Sequence, residues 1–303
     1  MRREPLTLVE KECRTALNRV RGMPFDWSLN PYTGCEHRCT FCYVRAFEQR
    51  ADRPSDDRYG RTVLVKTNVG AVLRGELGRR SWKREPVAIG SATDPYQPAE
   101  GRYRLTRGCL EALHDHRTPT HITTRGPMIV RDLDVLVALS RRVRVTVCVS
   151  VPSLDPEVVR RTEPGTAPPL PRLRALRALV DAGVRAGVLM APILPGISDD
   201  PRALGEVVRA ARDAGAAFAG VGALRLAPGT REHFMEHLAA DWPEMVGEYR
   251  RLFGGRAGLP AAYTAGLQET VAKLREQVRM ADRPATYITP EPQPEQLRLP
   301  MAS

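Results

Sequence analysis

Three of the chain's six cysteines, Cys35, Cys39 and Cys42, stand together with the spacing C-x3-C-x2-C. A structural zinc ion usually takes four ligands, as two distant cysteine pairs or as a cysteine pair and a histidine pair. Neither arrangement is present, because the other three cysteines are isolated and His37 is badly placed to complete the shell. Three thiolates without a fourth suit a [4Fe-4S] cluster with one open iron, and a zinc knuckle or a redox-inert cluster is the alternative.

At these residues the sequence resembles the radical S-adenosylmethionine (SAM) superfamily, whose hallmark is C-x3-C-x-aromatic-C, with Phe41 at the aromatic position. The resemblance implies that the three cysteines bind a [4Fe-4S] cluster and that S-adenosyl-L-methionine binds the open iron. It implies a radical SAM enzyme, in which one-electron reduction cleaves SAM to a 5′-deoxyadenosyl radical while the protein orients the cofactor. A one-electron reductant such as flavodoxin or ferredoxin is the partner that this chemistry needs.

A closer resemblance covers about residues 20 to 230. It rests on the segments NPYTGCEHRCTFCYVR, VKTNVGAVLRGEL, GSATDPYQPAE, TRGPMIVRDLDVL, SVPSLDPEVVRRTEPGTAPPLPRLRALRALVDAG and APILPGISDD. Together they look like the spore-photoproduct-lyase-like branch of the superfamily. The resemblance names a branch rather than a reaction, and it points to DNA or another nucleic acid as the substrate.

Polar residues follow three of the predicted strands, where enzymes built on parallel strands gather their chemistry. The resemblance assigns Thr93 and Asp94 to the methionine amino group of SAM and Arg125 to its carboxylate. Ser150 matches the position that touches the ribose. The plainer interpretations are a turn at Asp94-Pro95, a solvated arginine and a buried serine.

One departure limits the closer resemblance. Spore photoproduct lyases return a hydrogen atom from a cysteine just beyond the second strand, and the matching position here is Ser91 or Ala92. A serine is a poor substitute, because an alcohol O–H bond is much stronger than a thiol S–H bond. Tyr43 matches the tyrosine of the same relay, or packs against the cluster. Cys148 shares a strand face with Ser150 and is predicted either to supply the thiol or to be a buried structural cysteine.

The chain pattern indicates how these residues are positioned. Short apolar or β-branched runs predict strands at 86–92, 119–124, 143–151, 184–191 and 217–226. Between them lie helices, one from Pro171 to a stop at Gly183 and one capped by Asp200 and ended by Gly215. With a strand just before Cys35, six βα units predict an α/β fold, a partial (β/α)6 TIM-like barrel, with a doubly wound sheet as the competing topology.

Four segments are predicted: an N-terminal extension, a radical SAM partial-barrel domain, a C-terminal helical segment and a Pro-rich tail, at 1–26, 27–230, 231–282 and 283–303. An additional short strand and helix are expected within 51–85. In the loop RRTEPG, Arg161 and Glu163 are expected to form an ion pair.

The formal net charge of +11 favours polyanions such as nucleic acid, although the arginines are scattered and a GC-rich genome gives a similar composition. No apolar run reaches the about 18 residues that span a membrane, and no secretory h-region is visible. A cytoplasmic location with no membrane partner is therefore expected. Two other function classes stay open: a radical SAM enzyme acting on a peptide or small metabolite, and a non-catalytic iron–sulfur or zinc protein that binds nucleic acid.

Overall fold

The computed structural model describes residues 6–23 and 25–280. The strands in this range are β1 (Thr7–Lys11), β2 (Leu17–Arg19), β3 (Trp27–Leu29), β4 (Tyr32–Thr33), β5 (Thr62–Lys66), β6 (Val87–Ile89), β7 (Thr120–Thr124), β8 (Val145–Ser150), β9 (Ala186–Ile193) and β10 (Ala219–Ala223). The helices are α1 (Arg45–Arg50), α2 (Val69–Leu77), α3 (Ala99–Tyr103), α4 (Leu105–Asp115), α5 (Leu133–Ser140), α6 (Pro156–Thr162), α7 (Pro169–Asp181), α8 (Pro201–Asp213), α9 (Thr230–Asp241), α10 (Val246–Phe253) and α11 (Ala261–Gln277). The predicted Pro-rich tail at 283–303 lies outside the described residues.

The main sheet has seven strands in the order β10-β9-β8-β7-β6-β3-β2. Six of them, β3 and β6 to β10, are parallel neighbours, and β2 is an antiparallel edge strand. The parallel strands follow one another in chain order, without the reversal that defines a doubly wound sheet. The prediction of an α/β partial (β/α)6 TIM-like barrel is therefore confirmed, and the competing topology is wrong.

The sequence of β8 shows how the sheet separates its two faces. Val145, Val147 and Val149 belong to the main hydrophobic core that the sheet forms with the helices. Because successive side chains of a strand point to opposite faces, Cys148 and Ser150 lie on the inner face of the sheet. Ser150, the last residue of β8, therefore lies on the inner face next to the loops that follow the carboxyl ends of the strands.

The predicted helix signals are present in the structure. Asp200 caps α8, since its side chain accepts hydrogen bonds from two backbone N–H groups of the first turn at 2.9 and 3.1 Å. Gly183 and Gly215 follow α7 and α8 with φ of 83° and 79°, the left-handed conformation that suits glycine. Helix α7 begins at Pro169, two residues before the predicted start.

The remaining elements flank the barrel. The strand and helix expected within 51–85 are β5 and α2, but β5 pairs with β1 and β4 in a separate three-stranded sheet. Helices α9 and α10 form a second core with the cysteine loop, whereas α11 packs Leu267 and Val271 into the main core. No helix of the described residues is long and apolar enough to cross a membrane. The limits predicted for the four segments stay predictions.

Candidate functional site

The three clustered cysteines lie on the loop between β4 and α1. Backbone hydrogen bonds from Arg38 to Cys35 and from Cys42 to Cys39, both 3.2 Å, fold this loop into two successive turns. Burial raises the pKa of Cys39 and Cys42, and the charge that Cys35 would carry raises both further. Cys42 packs against the apolar cluster that contains Cys35 and against the one that contains Cys39, so the three thiols occupy adjoining positions. A metal that binds here must displace protons from them.

Two glycines allow other segments to pack directly on the cysteine loop. A Cβ atom at Gly165 would lie 2.1 Å from the carbonyl oxygen of Glu36, and one at Gly60 would lie 2.2 Å from that of Cys35. No side chain fits at either position unless the backbone moves. The N–H of Gly165 also donates to the carbonyl of His37 at 3.1 Å, which joins the loop after α6 to the cysteine loop.

His37 forms a buried pair with Asp94, whose Oδ2 lies 3.3 Å from His37 Nδ1. Burial alone would lower the pKa of His37, but the Asp94 carboxylate and the Cys35 sulfur outweigh it and raise the pKa to about 10. Burial alone would raise the pKa of Asp94, but His37 and several hydrogen bonds lower it to about 2. Nδ1 of His37 faces the Asp94 carboxylate and is therefore not available to a metal ion at the cysteines.

Asp94 has further partners that connect three loops. It accepts hydrogen bonds from the Thr124 hydroxyl at 2.6 Å and from the backbone N–H groups of Arg125 and Tyr96 at 2.7 and 2.9 Å. Both carboxylate oxygens are therefore occupied by protein donors. The loops after β6 and β7 are held together and fixed to the cysteine loop through His37.

Thr93 ties the same loop to the residue before Cys35. Its hydroxyl donates to the carbonyl of Gly34 at 2.6 Å and accepts a hydrogen bond from Gln97 Nε2 at 2.9 Å. Gln97 Oε1 in turn accepts from the backbone N–H of Glu36 at 2.9 Å. The loop after β6 is thus hydrogen-bonded to the residues on both sides of Cys35, Gly34 and Glu36. Contact of Thr93 or Asp94 with the amino group of SAM stays a prediction.

Arg125 is one of two arginines that bind the buried carboxylate of Glu163. Arg125 Nε donates to Oε1 at 2.9 Å, and Arg172 Nη2 lies 2.6 Å from Oε2. Arg125 also donates from Nη2 to the carbonyl of Ala191 at 3.0 Å. Its guanidinium lies over the ring of Phe41, 5.6 Å from the centroid. These contacts fix a positive charge beside the aromatic residue of the cysteine motif.

The prediction of an ion pair between Arg161 and Glu163 is wrong. Arg161 lies in the last turn of α6 and binds Glu157, four residues earlier, with Nε 2.7 Å from Oε1. Glu163 follows the end of that helix and is fully buried. The helix directs Arg161 along its own surface, so Glu163 takes its partners from other segments.

Ser150 and Cys148 are both buried on the inner face of β8. Burial raises the pKa of Cys148 to about 12, so this residue is a protonated thiol at neutral pH. Cys148 pairs in register with Thr123 of β7 and Gly187 of β9. The carbonyl of Ser150 accepts a hydrogen bond from Arg172 Nη1 at 3.0 Å, which connects the end of β8 to the Glu163 network.

Tyr43 directly follows the third cysteine of the motif and is 41% exposed. Its hydroxyl donates a hydrogen bond to the carbonyl oxygen of Ser91, and its ring packs edge-on against Phe47 with 5.9 Å between centroids. The Ser91 hydroxyl accepts from Asn30 Nδ2 at 3.2 Å, and Asn30 Oδ1 accepts from the N–H of Ala92 at 2.8 Å. The Ser91 and Ala92 segment is therefore fixed between Tyr43 and Asn30.

Three residues that organise this site were not identified from the sequence: Gln97, Arg172 and Gly165. Gln97 and Gly165 lie in the loops GSATDPYQPAE and RRTEPG, which the sequence indicated as parts of the site without assigning these positions. Arg172 lies on α7 beside the core residue Leu173, where an arginine is normally expected to face solvent.

Comparison with known proteins identifies the family. The model of the radical SAM superfamily matches residues 29–208. An uncharacterized protein of Mycobacterium tuberculosis is 41% identical over 285 residues, which cover 92% of this chain and 84% of that protein. An uncharacterized protein of Acidianus two-tailed virus is 32% identical over 178 residues, 56% of each chain.

Two solved structures share the fold. Spore photoproduct lyase complexed with dinucleoside spore photoproduct matches with a TM-score of 0.67 and 17% identity, over 89% of this chain and 79% of that chain. A mutant of that lyase with bound AdoMet and dinucleoside spore photoproduct also gives 0.67, with 18% identity over the same shares. The family match, the fold and the cysteine motif lead to one conclusion: this chain belongs to the radical SAM superfamily.

Proposed function

We propose that the protein is a radical SAM enzyme in which Cys35, Cys39 and Cys42 hold a [4Fe-4S] cluster. The observation that carries this proposal is the presence of three thiols on one loop, packed against two adjoining apolar clusters, with Nδ1 of the nearby His37 bound to Asp94. The donor set fits the group, because three thiolates leave one iron open for SAM. When bound, the cluster supplies the electron for reductive cleavage of SAM to a 5′-deoxyadenosyl radical.

The protein's own contribution is to bind and orient SAM at the carboxyl edge of the sheet. Arg125 is proposed to face the methionine carboxylate, with Glu163 fixing its guanidinium in place. Ser150 is proposed to contact the ribose from the end of β8, and Phe41 to pack against the cofactor. For Thr93 and Asp94, the hydrogen bonds to the cysteine loop support a positioning role beside the predicted contact with the amino group.

A nucleic acid is the proposed substrate. The formal net charge of +11 supports it, and so does a stacking surface formed by Tyr43, Phe47 and Arg50 beside the cysteine loop. Tyr43 and Phe47 are 41% and 46% exposed, and the Arg50 guanidinium lies 4.7 Å from the centroid of the Phe47 ring. Exposed aromatic rings and arginines are the groups on which unpaired bases stack.

The first experiment measures SAM cleavage by anaerobically reconstituted protein. Wild type is expected to bind about four irons per chain and to release 5′-deoxyadenosine with a strong reductant. Cys39→Ala should lose most of the product, whereas Cys13→Ala, a cysteine outside the motif, should retain it. Iron binding without cleavage under any reductant would favour the non-catalytic alternative, and equal product from Cys39→Ala would exclude the proposed ligands.

A second experiment tests the substrate class through DNA binding. Affinity for single-stranded DNA should fall steeply with salt, because phosphate contacts release counterions. Phe47→Ala should weaken binding by about 1–3 kcal/mol if a base stacks on this ring. Leu170→Ala is the matched control, since Leu170 is another exposed apolar side chain. Salt-independent or undetectable binding would instead favour a peptide or small-metabolite substrate.

A further inference from the structure

A second set of metal-binding side chains lies outside the cysteine site. Asp57, in the loop between α1 and β5, approaches His233 and His237 of α9. One ligand atom from each residue lies within 4.8 Å of the other two. Spacing of four residues places both histidines on one face of the helix, next to each other. Their ring centroids are 4.5 Å apart.

The geometry is close to that of an assembled site. A tetrahedral ion with bonds of about 2.0–2.1 Å separates its ligand atoms by roughly 3.3 Å. His237 Nε2 and Asp57 Oδ1 are already 3.3 Å apart. Because the three ligand atoms lie within 4.8 Å of one another, the ligand atom of His233 has to approach by at most about 1.5 Å, which side-chain rotation can supply.

The state of His233 is a second, independent observation. The residue is 4% exposed, and its buried Nδ1 has no hydrogen-bond partner among the described residues. Buried polar atoms are normally paired. An unpaired imidazole nitrogen in a residue that lies beside a second histidine and a carboxylate therefore indicates a missing partner, such as a metal ion.

We propose that Asp57, His233 and His237 bind one divalent transition-metal ion, such as Zn²⁺, independently of the cysteine cluster. Imidazole nitrogen favours zinc and its neighbours in the transition series, whereas magnesium and calcium prefer all-oxygen sites. Asp57 is exposed and His237 is about one-third exposed, so the fourth position opens to water. The candidate site is empty in this structure.

The candidate metal site is connected to the cysteine loop through Arg45. Arg45 Nη1 binds the carbonyls of Ser55 and Asp56, directly before Asp57, at 2.8 and 2.6 Å. The same guanidinium lies 3.5 Å from the carbonyl of Cys39. An ion that joins the Asp57 loop to α9 therefore also stabilises the cysteine loop, because Arg45 connects the residues before Asp57 to Cys39.

The test counts zinc and iron in full-length, cluster-reconstituted protein after incubation with Zn²⁺ and gel filtration. Wild type is expected to retain one zinc per chain in addition to its iron. His237→Ala and Asp57→Asn should weaken zinc binding by more than about 100-fold in chelator competition, because each removes a direct ligand. His114→Ala is the matched control, since His114 contacts Asp115 at 3.2 Å on the surface without a third ligand in that group.

A variant with Cys35, Cys39 and Cys42 all replaced by alanine separates this site from zinc that enters the cysteine site. Retention of one zinc by the triple variant, and its loss on adding His237→Ala, supports the proposal. Zinc binding that survives both His237→Ala and Asp57→Asn, or that disappears in the triple variant alone, overturns it. Because His237 and Asp57 are not buried, these variants are expected to fold, and circular dichroism checks that they do.

Discussion

The hydroxyl of Tyr43 donates a hydrogen bond to the backbone carbonyl of Ser91. This contact joins the residue after the cysteine motif to the segment of Ser91 and Ala92, one of which matches, by resemblance, the hydrogen-donating cysteine of spore photoproduct lyases. The Ser91 hydroxyl is held by Asn30, and its strong O–H bond makes it a poor hydrogen-atom donor. Tyr43 therefore contacts this segment, as the predicted relay requires, but the segment carries no thiol to donate a hydrogen atom.

Ser91→Cys should restore a donor at this position. Without substrate, a thiol that exchanges with D₂O gives deuterium to the 5′-deoxyadenosyl radical, so the deuterium content of 5′-deoxyadenosine should rise above that of wild type. The rise should disappear in Ser91→Cys with Tyr43→Phe if Tyr43 relays the hydrogen atom. Ala92→Cys tests the neighbouring position, and no rise in either cysteine variant would exclude a relay through this segment.

Cys148 is the candidate donor in the wild-type chain. It is a buried, protonated thiol on the inner face of β8, two residues before Ser150. Cys148→Ser should leave SAM cleavage intact but reduce deuterium incorporation from D₂O, and it should abolish turnover once a substrate is known.

Cys109→Ser is the control for the Cys148 prediction. Cys109 is also fully buried, but it belongs to the main core on the helix side of the sheet. Equal deuterium incorporation in wild type and Cys148→Ser would show that Cys148 is structural. A fall in both cysteine variants would point to lost stability rather than a lost donor.

Arg125→Lys should weaken SAM binding by at least about tenfold while iron content stays unchanged. A lysine retains the charge but loses the planar fork that binds Glu163 and Ala191 together, so the charge no longer has a fixed position. Arg131→Lys is a matched control, because Arg131 also binds a buried carboxylate, Glu100, at 2.8 Å. Equilibrium dialysis of SAM gives the comparison, and equal affinities in both variants would remove Arg125 from the SAM site.

Local sequence signals predicted the barrel well. The strands were visible because β-branched residues cluster in short runs, and the ends of α7 and α8 were visible through Asp200, Gly183 and Gly215. These signals depend on neighbours a few residues away. The separate pairing of β5 was not predictable in this way, because its partner β1 lies far away in the chain and has no motif of its own.

The polar network of the site was predicted less completely for the same reason. The sequence paired Glu163 with the nearby Arg161, but folding buries Glu163 between Arg125 and Arg172. A short sequence separation is a poor guide where a helix end directs neighbouring side chains to opposite sides. The partner of His37, Asp94, becomes apparent only when the loop after β6 meets the cysteine loop.

The buried pair of His37 and Asp94 predicts a specific dependence of stability on pH. The pKa of His37 is raised to about 10, so its contribution is fully present below its unfolded value of about 6.5 and is lost as the pH rises towards 10. The pKa of Asp94 is lowered to about 2, so its contribution is present above about 3.9 and is lost as the pH falls. The pair therefore stabilises the fold most between about pH 4 and 6.5.

Asp94→Asn should remove this dependence. At pH 5.5 it should lower the free energy of unfolding by about 3–5 kcal/mol, because His37 loses its buried partner. The difference from wild type should shrink steadily between pH 6.5 and 10, because the unfolded chain releases this histidine proton above about 6.5 while the folded protein holds it until about pH 10. Asp155→Asn is the control, since Asp155 caps α6 from an exposed position and asparagine caps equally well. Urea unfolding of the cluster-free proteins measures both variants, and a constant gap between wild type and Asp94→Asn across this range would show that His37 is not charged in the folded protein.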